Sequence, residues 1–301
     1  MTHTLRVGAI SRNYFNMPLW IAQDQGLFAE QGLDVAIELF EPIDEVTTRL
    51  NDGRLDLALG VTEHVILAAE TGGDLTVIAG NVNRLPFSLI ARPEIRSVEQ
   101  LRGQVVGVSS LQAGSSSLVM KMLTAHGLEC PRDYTLEAVG PILARWERLQ
   151  RGEIAAGLQG IPLNYMALDA GYRSLGEPRE QFPWFQFTSL NVSARWAGAH
   201  RAETEAFVRA WVAAHAWFYG HPKECTAIAM RHTGIDEGYA ERAWRDYTQD
   251  EIFPRDGAAD PRGIQTLIDI SALIRALPGR AKTRAEDYID GRYLEATRQA
   301  A

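Results

Sequence analysis

The chain states one pattern twice, 99 residues apart (106 − 7). Val7-Gly8-Ala9-Ile10-Ser11 returns as Val106-Gly107-Val108-Ser109-Ser110. Arg49-Leu50-Asn51-Asp52-Gly53 returns as Arg148-Leu149-Gln150-Arg151-Gly152, and Leu59 falls on Leu158 at the same offset. Each copy reads strand, loop, helix, strand, helix, short strand. The identity is thin, but both ends of the unit agree at one offset, which makes coincidence the weaker explanation. Two matched α/β units predict two similar lobes with a cleft between them. In such folds a ligand sits beyond the carboxyl ends of the strands.

Composition narrows the class. A chain of 301 residues with 46% hydrophobic and 23% charged residues has ample material for a packed globular core. A net charge of −8 argues against a nucleic-acid or anionic-membrane binder, both of which need a basic surface. It does not argue against a small anionic ligand, since local dipoles outweigh global charge at short range. Cys130 and Cys225 share no CxxC or Cys/His spacing, so neither a disulfide framework nor a metal is expected. No dinucleotide or phosphate-loop fingerprint appears, and no cofactor is expected. The opening Met-Thr-His-Thr leads straight into a strand with no secretory pattern before it. The expected location is cytoplasmic as written, and periplasmic if a signal peptide has been removed. No apolar run reaches the roughly 18 residues of a spanning helix, so no membrane insertion is expected.

Along the chain, Leu5–Ile10 reads as a strand and Ser11–Asn16 as a polar loop. A helix opens at Met17-Pro18 and ends at Gly32. Asp34–Phe40 alternates as a strand, Asp44–Asn51 as a helix, and Leu55–Leu59 as a buried strand. A helix capped by Thr62 runs to Glu70, followed by strands at Leu75–Ala79 and Phe87–Ala91. The second copy places strands at Gln104–Val108, Thr135–Val139 and Ile154–Leu158, with a helix from Gly114 or Ser115 to Gly127 and others at Ile142–Arg151 and Pro162–Ala170. Pro183–Ala194 reads as an extended return. Helices at Glu203–Tyr219, Pro222–Arg231, Glu237–Thr248 and Pro261–Ala276 complete the chain. The expected division is lobe one at residues 1–88, lobe two inserted at 89–189, and a mostly helical return to lobe one at 190–301. Two crossings, near 84–92 and 184–192, would form a hinge.

Three motifs carry a family resemblance. Met17 to Val35 contains Ala22, Gly26, Phe28 and Gly32-Leu33-Asp34-Val35; Leu50 to Gly60 contains Gly53 and Asp56; and Leu101-Arg102-Gly103-Gln104-Val105-Val106-Gly107-Val108 opens the second unit. In that order they resemble the nitrate/sulfonate/thiamine-pyrimidine class of substrate-binding proteins. The resemblance implies an α/β, two-lobe, periplasmic-binding-protein-like fold of type II, with a small-molecule ligand and an ABC transporter permease as partner. A monomer is expected. The class also includes the fungal thiamine pyrimidine synthase, which consumes its own histidine. His64 falls near that position, but Gly60 stands where the resemblance expects a lysine, and no cysteine-rich motif is present.

Loops at the strand ends supply the candidate site. In Ser11–Asn16, Tyr14 and Phe15 are placed to stack on a planar ligand and Asn13 to bond its edge; the alternative is that the rings plug the core. Trp20, just inside the helix, reads as core. In the second loop, Thr62 and His64 are candidate polar contacts, while adjacent Glu63 and His64 diverge on a helix and form no ready acid–base pair. Arg84 is a candidate carboxylate holder, or a hinge salt bridge. Ser109–Ser117 is the strongest candidate. Its small residues, with Ser110, Gly114, Ser115 and Ser116, open a helix and could seat an anion; one serine suffices for ordinary capping. Gln159 is a candidate from lobe two. The leading expectation is therefore a solute-binding protein for a planar or anionic organic molecule. The alternative is a cytoplasmic enzyme on the same fold, a decarboxylase or lyase, with His64 as proton donor.

Overall fold

The computed structural model of the chain describes residues 4–111, 114–271 and 281–299. The first unit runs β1 (Thr4–Ile10), α1 (Met17–Asp24), α2 (Leu27–Glu30), β2 (Asp34–Phe40), α3 (Ile43–Asn51), β3 (Leu57–Val61), α4 (Glu63–Glu70) and β4 (Leu75–Val82). The chain then crosses into β5 (Phe87–Ala91), β6 (Val105–Val108), α5 (Ser115–Thr124), β7 (Thr135–Ala138), α6 (Ile142–Gln150), β8 (Ala156–Gly160), α7 (Leu163–Asp169) and β9 (Arg173–Ser174). It returns through β10 (Thr188–Ser193). The helices α8 (Ala194–Ala199), α9 (Arg201–Gly220), α10 (Pro222–Thr233), α11 (Glu237–Gln249), α12 (Pro261–Ser271) and α13 (Arg292–Gln299) follow.

Two five-stranded mixed sheets organise these elements. Their orders are β2-β1-β3-β10-β4 and β7-β6-β8-β5-β9. The first sheet anchors lobe one and the second lobe two. The orders are the same once each strand is replaced by its partner in the repeat. In both, the strand that follows a crossing lies antiparallel beside the third strand of the unit: β10 beside β3, and β5 beside β8. The register repeats residue by residue. Val7 pairs with Ile37 and Leu57 as Val106 pairs with Leu136 and Ala156. The helices α3 and α6, and the strands β3 and β8, stand at the same 99-residue offset over their whole lengths.

A local packing device is also duplicated. A methyl group at Gly8 would overlap the Leu55 side chain, and one at Gly107 would come within 2.5 Å of Ile154. Leu55 and Ile154 therefore tuck against the bare backbone of the first strand in each lobe. β3 and β8 begin two residues later than the expected Leu55–Leu59 and Ile154–Leu158; the Leu55 amide is spent on the Arg49 carbonyl at the end of α3.

Three other expectations shift. The first helix breaks at Gly26, whose φ of 73° suits glycine, and resumes as α2 before Gly32 ends it. Thr62 does not cap α4, because its buried hydroxyl bonds Ser189 at 2.8 Å. The helix expected at Pro261–Ala276 is described as far as Ser271, and its last turn lies outside the described residues. The helical return buries Phe207, Trp211, Ala214 and Phe218 along α9, four to a stripe of helical spacing. Trp211 Nε1 donates to the Gly80 carbonyl of β4, which ties α9 to the first sheet. Burial of each such aromatic side chain contributes on the order of 1.5–3 kcal/mol.

Candidate functional site

Loops from both sheets converge on one interlobe cavity of about 40 Å³. Lobe one contributes Ile10, Asn13, Phe15, Asn16, Ile43, Leu59 and Val61, with Phe187 and Thr188 from the return. Lobe two contributes Phe87, Ser109, Ser115, Pro141, Ile142 and Arg145. The rings of Phe15, Phe87 and Phe187 meet edge to face, with centroids 4.9–5.7 Å apart. Phe87 and Phe187 stand at the two chain crossings, so this aromatic wall is built from the hinge itself. A volume of this size holds a few waters and is well below the several hundred Å³ of a drug-sized pocket. Admission of a larger ligand requires the lobes to part.

Arg145 dominates the chemistry of the cavity. It projects from α6 on the same face as Ile142 and Leu149, and is 1% exposed. Its Nε donates to the Leu158 carbonyl at 2.8 Å, and one terminal nitrogen donates to the Gly140 carbonyl at 3.2 Å and the Ser115 hydroxyl at 3.4 Å. Among the described residues no carboxylate pairs with it, and burial alone pushes the guanidinium down to about 9, still protonated at neutral pH. A buried charge without a counter-charge costs several kcal/mol. Its stem lies over Gly157, where a methyl group would come within 2.8 Å of Arg145 Cδ. Among the described lining residues, Arg145 is the one ionisable side chain. The sequence reading missed it. The available signal was the repeat: Ile43, Val46 and Leu50 are the buried stripe of α3, and their partners on α6 are Ile142, Arg145 and Leu149.

The serine loop is held by local bonds and by the opposite lobe. Ser115 Oγ accepts from the Ser109 amide at 2.9 Å, and Ser109 Oγ accepts from the Ser115 amide at 3.1 Å, a reciprocal cap on α5. The Gly114 amide donates to Glu63 Oε2 at 2.8 Å, so a buried carboxylate of lobe one reaches the N-terminus of a lobe-two helix. Ser110 hydrogen-bonds Asp44, again across the lobes. The hydrogen bond from His64 and the added one from Ser110 hold Asp44 below the usual carboxylate range.

Of the ten candidates from sequence, Asn13 and Ser115 line the cavity. Asn13 spends its amide locally, donating to the Ile10 carbonyl and accepting from the Phe15 amide. Ser110 and Gly114 lie in the segment between β6 and α5, and Ser116 is fully buried in the first turn of α5. His64, 5% exposed, is engaged by Thr47 through Nδ1 at 2.6 Å and by Asp44 through Nε2 at 3.1 Å, and is not in the lining. Thr62 bonds Ser189. Tyr14 turns into the core, its ring 4.7 Å from Tyr247, while its neighbour Phe15 takes the cavity wall. Arg84 packs on Trp184 at 4.1 Å and donates to the Pro183 carbonyl, away from the cavity. Gln159 is buried on β8, on the same face as Gly157, and neither polar atom of its side chain has a partner among the described residues. Trp20 is core, stacked on His232. Among the described residues no acidic, histidine and cysteine group forms a metal-binding cluster, and no helix is long and apolar enough to cross a membrane.

Comparison with known proteins gives three findings. A family model described as NMT1/THI5 like matches residues 13–225. A 4-amino-5-hydroxymethyl-2-methylpyrimidine phosphate synthase of Saccharomyces cerevisiae is 29% identical over 170 residues, 54% of this chain and 48% of that protein. The matched segment thus spans about half the length of that relative; a synthase of the same name from Uromyces fabae is 22% identical over 79% of this chain and 74% of its own length. Among solved structures, the periplasmic nitrate-binding protein of Synechocystis PCC 6803 superposes with a TM-score of 0.83 at 15% identity, covering 99% of this chain and 89% of that one. The alkanesulfonate-binding protein of Xanthomonas axonopodis pv. citri, bound to MOPS, gives 0.79 at 18% identity, covering 96% and 98%. The fold is therefore periplasmic-binding-protein-like.

Proposed function

This chain belongs to the NMT1/THI5-like family, and on that premise we propose that it is a solute-binding protein that captures a small organic ligand between its lobes. The observation that carries the reading is the shared cavity. Both lobes wall it, and its described lining holds no acid, histidine, lysine or cysteine to serve as nucleophile or base. What it offers is an aromatic wall, amide and hydroxyl groups, and one guanidinium, a set suited to holding a molecule rather than converting it. Delivery of the ligand to an ABC-type permease is the role that fits the solute-binding neighbours.

The competing reading is an enzyme of the pyrimidine synthase kind, favoured by the 29% identity to that group. It would require His64 to reach a substrate, whereas both ring nitrogens of His64 are engaged by α3 side chains. Calorimetry with planar acids, sulfonates and pyrimidines, followed by mass spectrometry of the recovered ligand, separates the two. The solute-binding reading expects saturable heat and unchanged ligand; a chemically altered ligand, or mass lost from His64, refutes it.

A further inference from the structure

We infer that Arg145 is the anchor for an anionic head group, and that the ligand is a compact organic anion with one charged end and an apolar body. The inference rests on the reading of the interlobe cavity as the ligand site and names the class of molecule it takes. The protonated guanidinium is 1% exposed, lines the cavity and faces no carboxylate among the described residues. Its hydrogen bonds go to two main-chain carbonyls and one hydroxyl, all uncharged acceptors. These hold the group in place without neutralising it. A carboxylate or sulfonate supplies the missing charge, and the planar guanidinium is matched to such oxygens.

The remainder of the wall fixes the other end of the ligand. Phe15, Phe87, Phe187, Ile43, Leu59 and Ile142 are apolar, and the polar remainder of the described lining, amides and hydroxyls, carries no charge to pair with a second one. A dianion or a zwitterion would have to desolvate its second charge against these side chains without a counter-charge. The contrast with lobe one isolates the feature. At the same station of α3 the chain carries Val46, fully buried, so the packing of this helix type does not itself need an arginine.

The test uses the intact chain with two pairs of probes: benzoate against benzamide, and benzenesulfonate against benzenesulfonamide. Each pair keeps the body and changes the charge. With the unaltered protein, calorimetry should give affinities for the anions at least about tenfold tighter than for the neutral partners, the effect of one charge-assisted hydrogen bond. Arg145→Met should erase that preference while leaving the amide affinities within about twofold, and its thermal midpoint without ligand should equal or exceed that of the unaltered protein, because a buried unpaired charge has been removed. Arg145→Lys should retain part of the preference, which covers the case in which the methionine variant fails to fold. Neutral probes that bind as tightly as the anions overturn the inference and leave the cavity as the ligand site. So does an Arg145→Met protein that melts lower and keeps its anion preference, since the arginine is then a brace between α6 and β8. Failure of every probe to bind the unaltered protein overturns the solute-binding reading, and this inference with it.

Discussion

The two lobes are built to one plan and differ where chemistry is to be expected. Lobe one has Gly8 over Leu55 and the stripe Ile43, Val46, Leu50; lobe two has Gly107 over Ile154 and the stripe Ile142, Arg145, Leu149. Of the three stripe positions two are matched in kind. The third exchanges a buried valine for a buried arginine. A second exchange lies on the neighbouring strand, where Gly60 of β3 answers to Gln159 of β8, a side chain with no hydrogen-bond partner among the described residues. Positions that agree between the copies serve packing. The disagreements put buried Arg145 and Gln159 into lobe two, while lobe one keeps its own buried polar groups at Thr62, Glu63 and His64, where lobe two has Ile161, Pro162 and Leu163. Both lobes supply aromatic surface to the cavity, and the one charge in its described lining comes from lobe two.

The most severe way to break this comparison is to make the lobes alike. Val46→Arg places the lobe-two residue at a fully buried position of lobe one. The expected loss is about 3–5 kcal/mol of stability, measured by urea unfolding, with no gain in anion affinity. A variant as stable as the parent would show that α3 tolerates the charge and that the contrast carries no meaning.

A second asymmetry is a titration found in the helical return of lobe one. His215 is fully buried on α9, its Nδ1 bonded to the Pro254 carbonyl at 2.7 Å, and burial pushes its imidazole down to about 4. The folded state thus keeps it neutral while the unfolded chain protonates it below the ordinary value near 6.5. Its contribution is full above pH 6.5 and is lost as pH falls toward 4, about 3 kcal/mol in all. Unfolding free energies of the parent and His215→Gln, compared across that window, should converge by this amount. Parallel curves would mean that His215 is protonated in the fold.

The contact that joins the lobes gives a smaller effect. Glu63→Ala removes the carboxylate that accepts the Gly114 amide, a bond of roughly 1.5–3 kcal/mol. The radius of gyration from small-angle scattering should rise as the lobes part. An unchanged radius would show that the remaining interlobe contacts suffice. Smallest, and a check on the symmetry itself, are Gly8→Ala and Gly107→Ala. Each adds a methyl where Leu55 or Ile154 already packs, and each should cost about 1–3 kcal/mol. Unequal costs would show that the two devices are alike in geometry only.

Much of the fold was legible in the sequence because packing repeats. The offset and the apolar pattern together located α3, α6 and the two Val-Gly strands, and placed β3 and β8 two residues early. The site was less legible, because its contacts are made between distant segments. Tyr14 and Phe15 are neighbours in a polar loop, and only the later arrival of Tyr247 and Phe218 decides that Tyr14 enters the core. The small-residue loop read as an anion seat, but the carboxylate that reaches Gly114 comes from Glu63, on the other lobe. Arg84 read as a carboxylate holder and is stacked on Trp184. Arg145 is not singled out within the helix expected at Ile142–Arg151. Alignment of the chain with itself would have set it beside Val46 and exposed it on the apolar stripe.

The central claim is that a ligand is held by both lobes at once, its charge on lobe two and its body against the hinge aromatics. A crystal structure of the chain grown with benzenesulfonate tests this most directly. The account predicts sulfonate oxygens within hydrogen-bonding distance of the Arg145 guanidinium and the ring against Phe15, Phe87 and Phe187. A sulfonate bound on one lobe alone, away from Arg145, would contradict it.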